Sequence, residues 1–342
     1  MLDQKAAPSQ TPIRGSEAEV SIEAKDPTVR ERIRKAVDPN MNETVRRYEI
    51  ACLGNLPPGS SDAQAVVLTL GKLADHPQLF GNALEALKDL SQQGSYVALA
   101  APEIIRRMQH PTPGIARYAT KCLDWIMPDL KGPVRTQALN AFLALTKEGV
   151  DSEVRQKAVF ALRYFRGDKQ SKDALQARKA LLGLIKDKDW VTRGCAGVAL
   201  VHMDDSAEEL ATLIEDLSTY VVRSKDAVNR EEAAAFLRQI AAVTSRPSVA
   251  DAAIAGIIPM LTDSSPRNRR RATSLLRWDV AGKGVAALGP LQEAAKLEEI
   301  QVIRINILQT IEDIQKTNQM DTNDVKAKLK KEYEDLEKKM AR

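Results

Sequence analysis

The residue types that most often do chemistry are sparse in this chain and stand far apart. The three histidines are His76, His110 and His202, and the three cysteines are Cys52, Cys122 and Cys195. Neither set has the short spacing of a zinc or redox motif, so no metal site and no CxxC chemistry is expected. His76 and His110 each precede a proline, which places them in turns. The segment AGKGVAALG (281–289) is glycine-rich but lacks the Gly-Lys-Ser/Thr ending of a phosphate loop, and it reads as a flexible lead into the next helix. No Gly-x-Ser-x-Gly nucleophile motif occurs either. No catalytic, cofactor-binding or metal-binding residue is therefore assigned, and nothing in the sequence commits the chain to catalysis.

Two residue types do recur in a pattern. All three tryptophans adjoin an aspartate: Asp124-Trp125, Asp189-Trp190 and Trp278-Asp279. Trp190 falls at the start of a helix and Trp278 near a buried edge, so packing is the expected role. Arginine recurs in register: Arg46, Arg155, Arg193, Arg230, Arg269 and Arg304 each stand seven residues before a buried apolar position, with Phe80 and Ala116 in the two other copies.

That register exposes a repeat. Leu53, Leu87, Leu123, Leu162, Leu200, Leu237, Leu276 and Ile311 follow one another at intervals of 34 to 39 residues. Four residues before each stand Ala83, Ala119, Ala158, Ala196, Ala233 and Ala272, with Glu49 and Ile307 in the first and last copies. Small residues there let helices approach closely. Asn42, Asp151, Asp189, Asp226 and Ser265 are N-cap types eleven residues before the anchor. An amphipathic helix precedes each of these, as in 96–108, 177–187 and 251–263. The unit is thus a first helix (A), a short turn and a second helix (B). The breaks carry Pro, Gly, Asp or Asn, at 38–40, 57–62, 110–114, 131–133, 166–169, 187–189 and 263–266. No run of alternating β-branched residues predicts a strand, and aromatics are only 4% of the chain.

One helix pair cannot bury both its faces alone, so the copies must stack. The units LLGLIKDKDWVTRGCAGVAL (181–200) and IIPMLTDSSPRNRRRATSLL (257–276) resemble the HEAT-repeat family of armadillo-like α-solenoids. The resemblance covers roughly residues 27 to 315. It implies an all-α, right-handed α-α superhelix of about seven to eight helix pairs. It also implies a polar ladder in which the helix B arginines meet turn carboxylates, with Asp151, Asp187, Asp189, Asp226 and Asp263 as candidates, and a concave surface lined by helix B. Organisation follows: a disordered arm at 1–26, the solenoid at 27–316, and a charged helix at 317–342 that caps the array or docks elsewhere. Val325, Leu329, Tyr333, Leu336 and Met340 form its thin apolar stripe.

Function is carried by the remaining basic residues. One position after the anchor stand Lys88, Arg163, Arg238 and Arg277, and SSPRNRRRATSLLRWD (264–279) adds Arg270 and Arg271. With Trp125, these seven are the expected partner-binding residues. The expected partner is another protein with an acidic surface, held by a non-enzymatic scaffold. A net charge of only +4 favours this over nucleic acid. HEAT-like glycosylases that excise alkylated DNA bases combine aromatics, a carboxylate and a basic groove, so a nucleic-acid-binding relative of that kind is the alternative. A HEAT-like accessory lyase is the second alternative. The His-Glu pairs of HEAT-like di-iron hydroxylases are missing. No apolar stretch is long enough for a membrane span, and the odd cysteine count with no apolar leader points to the cytoplasm. A leader removed beforehand is compatible with the same residues.

Overall fold

The computed structural model describes residues 24–167, 171–203, 208–277 and 283–340. Every regular element among them is helical. The first four pairs are α1 (Pro27–Val37) with α2 (Glu43–Leu53), α3 (Ala63–Leu73) with α4 (Phe80–Gln92), α5 (Val97–Arg107) with α6 (Pro113–Ile126), and α7 (Gly132–Leu145) with α8 (Ser152–Ala161). The next four are α9 (Lys172–Leu184) with α10 (Trp190–Met203), α11 (Glu209–Arg223) with α12 (Ala227–Val243), α13 (Pro247–Ile257) with α14 (Pro266–Arg277), and α15 (Leu288–Leu297) with α16 (Gln301–Thr317). A last helix, α17 (Asn323–Met340), follows. Eight A/B pairs are thus present. The expected arm falls mostly on residues 1–23, which lie outside the described residues. Its last residues are held: the Lys25 and Asp26 N–H groups donate to the buried Asp62 carboxylate at 2.5 and 3.1 Å.

The repeat register explains the packing. The eight anchor residues are all buried, at 0–2% exposure, and all six column alanines are fully buried. The B helices contact one another in sequence from α2 through α16, with these alanines between them. Asn42, Asp151, Asp189 and Asp226 each accept a backbone N–H at the start of their helix. Proline opens α1, α6, α7, α13 and α14 in the first turn, where its missing N–H costs nothing. Boundaries shift where proline falls late: helix A of the seventh copy starts at Pro247 and tightens to a 3₁₀ turn over Ile258–Thr262, around Pro259. The anchor Leu162 likewise sits in a 3₁₀ turn, Leu162–Phe165, rather than in α8.

One copy departs from the volume pattern. Three residues before the anchor, Gly197 stands where other copies carry Ile50, Leu84, Thr120, Val159, Ala234, Thr273 and Leu308. The Leu213 side chain of α11 fills the vacated space, so a Cβ at Gly197 would collide with it. Helix α11 therefore approaches α10 more closely than a side chain at 197 would allow.

Helix α17 takes up the place of a ninth A helix. Val325 and Leu329 are buried and Leu336 packs against the core, while Glu332 receives Arg304 and Gln301 of α16. No helix among the described residues is long and apolar enough to cross a membrane.

Candidate partner-binding surface

The arginine column is built into the joints between copies. Arg155 ion-pairs with Asp187 at 2.5 Å, Arg193 with Asp216 at 2.7 Å, Arg230 with Asp263 at 2.6 Å, Arg269 with Glu298 at 2.7 Å and Arg304 with Glu332 at 2.8 Å. In the last four, a second guanidinium edge donates to the carbonyl six residues earlier: Asp187, Ser224, Asp263 and Glu298. Three residues therefore act twice. Asp187, Asp263 and Glu298 take the preceding copy's arginine on the carboxylate and their own copy's arginine on the carbonyl. All three stand thirteen residues before an anchor, at the A–B turn. Burial pushes the Asp263 carboxyl up, but hydrogen bonds from Arg230, the Ser265 N–H and Asn268 outweigh it and bring the pKa down to about 2. The Arg269 hydrogen bond holds Glu298 below the usual carboxylate range against its burial.

Of the five expected acceptors, Asp187 and Asp263 serve the column. Asp189 and Asp226 are engaged as helix caps, and Asp151 pairs with Arg117 instead, at 2.6 Å. Asp216, Glu298 and Glu332 fill the other places. Ser224 explains Asp216: the turn residue of the sixth copy has a carbonyl but no carboxylate, so Arg193 reaches into α11 for one. Among the described residues, the Arg46 side chain donates to the Ala36 carbonyl, at 3.0 Å, in place of a carboxylate.

Where the column lacks arginine, other groups join the copies. Phe80 meets Tyr118 edge to face, with centroids 6.0 Å apart. Arg107, on α5, reaches back to Asp75 at 2.8 Å and the Gly71 carbonyl, and also holds Glu103. It is nearly fully buried. Nothing in the helix B register points to Arg107; the signal is the gap at Phe80 and Ala116 itself, which a buried arginine elsewhere must offset.

The seven expected partner residues fall into separate groups. Lys88 bonds Glu85 at 2.9 Å and lies near Asp89, with its ammonium 5.8 Å from the Trp125 ring. Arg163 pairs with Asp124 at 3.3 Å, bonds the Tyr164 hydroxyl at 2.6 Å and stacks on Phe160 and Tyr164. Trp125, beside Lys88, is 61% exposed. Packing, expected for Trp190 and Trp278, holds for Trp190, which stacks on Tyr220 at 4.9 Å; Trp278 lies outside the described residues. Arg238 is half-buried on α12 and engaged by its surroundings. Arg277 pairs with Asp313 of α16.

Arg270 and Arg271 are exposed on α14 beside Arg267, whose side chain is 73% exposed. Arg267 and Arg271 share one carboxylate, Glu231, at 3.1 and 3.3 Å. The α14 group lies four B helices from Trp125, roughly 32–40 Å along the array at the usual helix spacing.

The remaining candidates are structural. His76 and His110 each use Nδ1 to accept the N–H two residues on, at 3.2 and 3.0 Å, closing their turns. Burial lowers the His202 pKa, and Arg163 and Arg166 lower it further. Burial pushes the Cys195 thiol up to about 12, with Asp189 and Glu232 adding to it, and Cys122 is also raised, by burial first. Of the glycine-rich segment, 281–282 lie outside the described residues. Lys283 donates to the carbonyls of Ala241, Ala242 and Thr244 at 2.9, 3.2 and 2.6 Å, closing the C-terminal end of α12. No group of three or more His, Cys, Asp or Glu among the described residues is placed to hold a metal ion.

With this geometry in hand, the chain compares with importin beta, crystallised in an ammonium sulfate condition, at a TM-score of 0.56 and 13% identity, over 87% of this chain and 42% of that one. It compares with Kap95p, whose binding induces the switch loops of RanGDP to adopt the GTP-bound conformation, at 0.53 and 18% identity, over 84% and 40%. The fold is a HEAT-repeat α-solenoid. The chain spans less than half the length of these two solenoids, and at such identities the likeness speaks to fold alone. No protein-family model matches the sequence, and no curated protein matches it.

Proposed function

We propose that this HEAT-repeat solenoid is a non-enzymatic scaffold that holds an acidic segment of another protein on the solvent-facing side of its B helices. The observation that carries the reading is α14: Arg267, Arg270 and Arg271 are exposed, and Arg267 and Arg271 share the Glu231 carboxylate. The guanidinium ends of these pairs are exposed, at 73% for Arg267 and 47% for Arg271, while Glu231 is 20% exposed, so an incoming carboxylate reaches the arginines from the solvent side while Glu231 keeps its place. Arginine forks recognise carboxylates bidentately. Trp125 is a second, separate contact, because a large exposed ring gains most from being covered. Lys88, Arg163, Arg238 and Arg277 join the surface as weaker members, since each already has a partner in the fold. Protein binding by Kap95p is compatible with this use of the fold, and the cytoplasm is the proposed compartment.

The test is capture from native lysate, with and without nuclease, by the wild-type chain and by Arg270→Glu/Arg271→Glu. The expected result is a defined protein that survives nuclease and is lost with the variant, whose melting temperature stays within about 1–2 °C. Recovery of nucleic acid, with affinity falling steeply in salt, would instead support the nucleic-acid alternative. Capture unchanged by the double substitution would remove α14 from the surface.

A further inference from the structure

A cavity of about 350 Å³, partly open to solvent, lies in the last copy between α15, α16 and α17. That volume is in the range of small-molecule sites. On α16 it follows one stripe, Arg304, Leu308, Ile311 and Gln315, about 16 Å long at the helical rise. Ala295, Leu308, Ile311 and Val325 give it an apolar wall, all four buried.

The polar groups around this wall are few and are not equivalent. Arg304 is committed, to Glu332 and to the Glu298 carbonyl. Lys296 and Lys328 enter from two different helices. Among the described residues, each pairs with a carboxylate one turn away on its own helix, Glu293 and Asp324, and all four side chains are 60–82% exposed. Such pairs exchange partners at little cost. Lys296, Arg304 and Lys328 thus meet Glu293, Asp324 and Glu332 one for one, and the two lysines are the cations whose exposed partners an incoming carboxylate can replace. The Gln315 Oε1 is buried and has no hydrogen-bond partner among the described residues. A buried acceptor left unsatisfied is costly, so a donor delivered to it is favoured.

We propose that this cavity is a binding site for a small amphiphilic monoanion: an unbranched apolar body, a carboxylate held by Lys296 or Lys328, and a hydroxyl or N–H at the far end donating to the Gln315 Oε1. The site is independent of the α14 surface and does not depend on the scaffold reading.

Calorimetric titration of the full chain with ω-hydroxydecanoate, decanoate and decylamine tests it. The hydroxy acid binds saturably, decanoate binds about fivefold more weakly for want of one hydrogen bond, and decylamine does not bind. Gln315→Leu removes the difference between the two acids. Leu308→Trp fills the cavity and removes binding of both; if that variant does not fold, Gln315→Leu alone still decides. The proposal is overturned if neither acid gives saturable binding, if decylamine binds as well as the acids, or if Gln315→Leu leaves the preference for the hydroxy acid intact.

Discussion

The joints from the fourth copy onward and those between the second and fourth copies solve one problem with different chemistry. In the later joints an arginine on helix B bonds a carboxylate from the next copy, and both groups are largely shielded, with side-chain exposures of 12% and 4% for Arg230 and Asp263. Where the column holds Phe80 and Ala116, the joints use an aromatic contact, a buried arginine reaching backwards from α5, and the Arg117–Asp151 pair. That last pair is displaced by one residue from the column and is 46% and 29% exposed. The same type of ion pair therefore sits in two dielectric settings. A shielded pair is strongly destabilising to break, because removing one member strands the other. An exposed pair is screened and contributes little. The later part of the solenoid is thus tied by a ladder that depends on each member, and the earlier part by packing plus one arginine.

The largest expected effect comes from breaking the later ladder. Arg230→Ala leaves the shielded Asp263 carboxylate without its guanidinium, with only the Ser265 N–H and Asn268 still donating among the described residues, and should cost about 3 kcal/mol in denaturant unfolding, with faster hydrogen exchange in α12 and α14. Arg107→Ala is the matching cut in the early region. It removes a buried arginine but leaves Asp75 half-exposed to water, so a loss of about 2–3 kcal/mol is expected from the same measurement. Acid separates the regions further. Asp263 has a folded pKa of about 2 against an ordinary 3.8. Its contribution of about 2 kcal/mol is fully present above pH ~4 and is lost as pH falls toward 2. Asp263→Asn should flatten that part of the stability–pH curve. The smallest effect is Arg117→Ala, expected below about 1 kcal/mol and vanishing at high salt; a loss as large as that of Arg230→Ala would erase the distinction between the two settings.

The anchors, the alanine column and most helix caps were legible because each depends on residues within one helix turn of its own element. The donors of the ladder were legible for the same reason, since Arg155, Arg193, Arg230, Arg269 and Arg304 recur in register. Their acceptors were only partly so. Asp216, Glu298 and Glu332 lie 23 to 29 residues beyond their arginines, and stacking decides which nearby acid is reached. The position thirteen before each anchor is itself a column, with Asp187, Asp263 and Glu298 in three copies and Ser224 marking the joint where another acid substitutes. Trp125 was selected by residue type, but its exposure is set by how α4, α6 and α8 pack. The cavity beside α17 left no sequence signal, because it arises from how three helices meet rather than from any motif.

The central claim is that the arginine column joins the copies rather than facing a ligand. A double-mutant cycle on Arg230→Met and Asp263→Leu, followed by denaturant unfolding, measures it directly. The account predicts a coupling of at least about 2 kcal/mol between the two sites, with the double variant recovering part of the single-site losses. Additive losses, with a coupling below about 0.5 kcal/mol, would contradict it and return the arginines to the list of surface groups free to meet a partner.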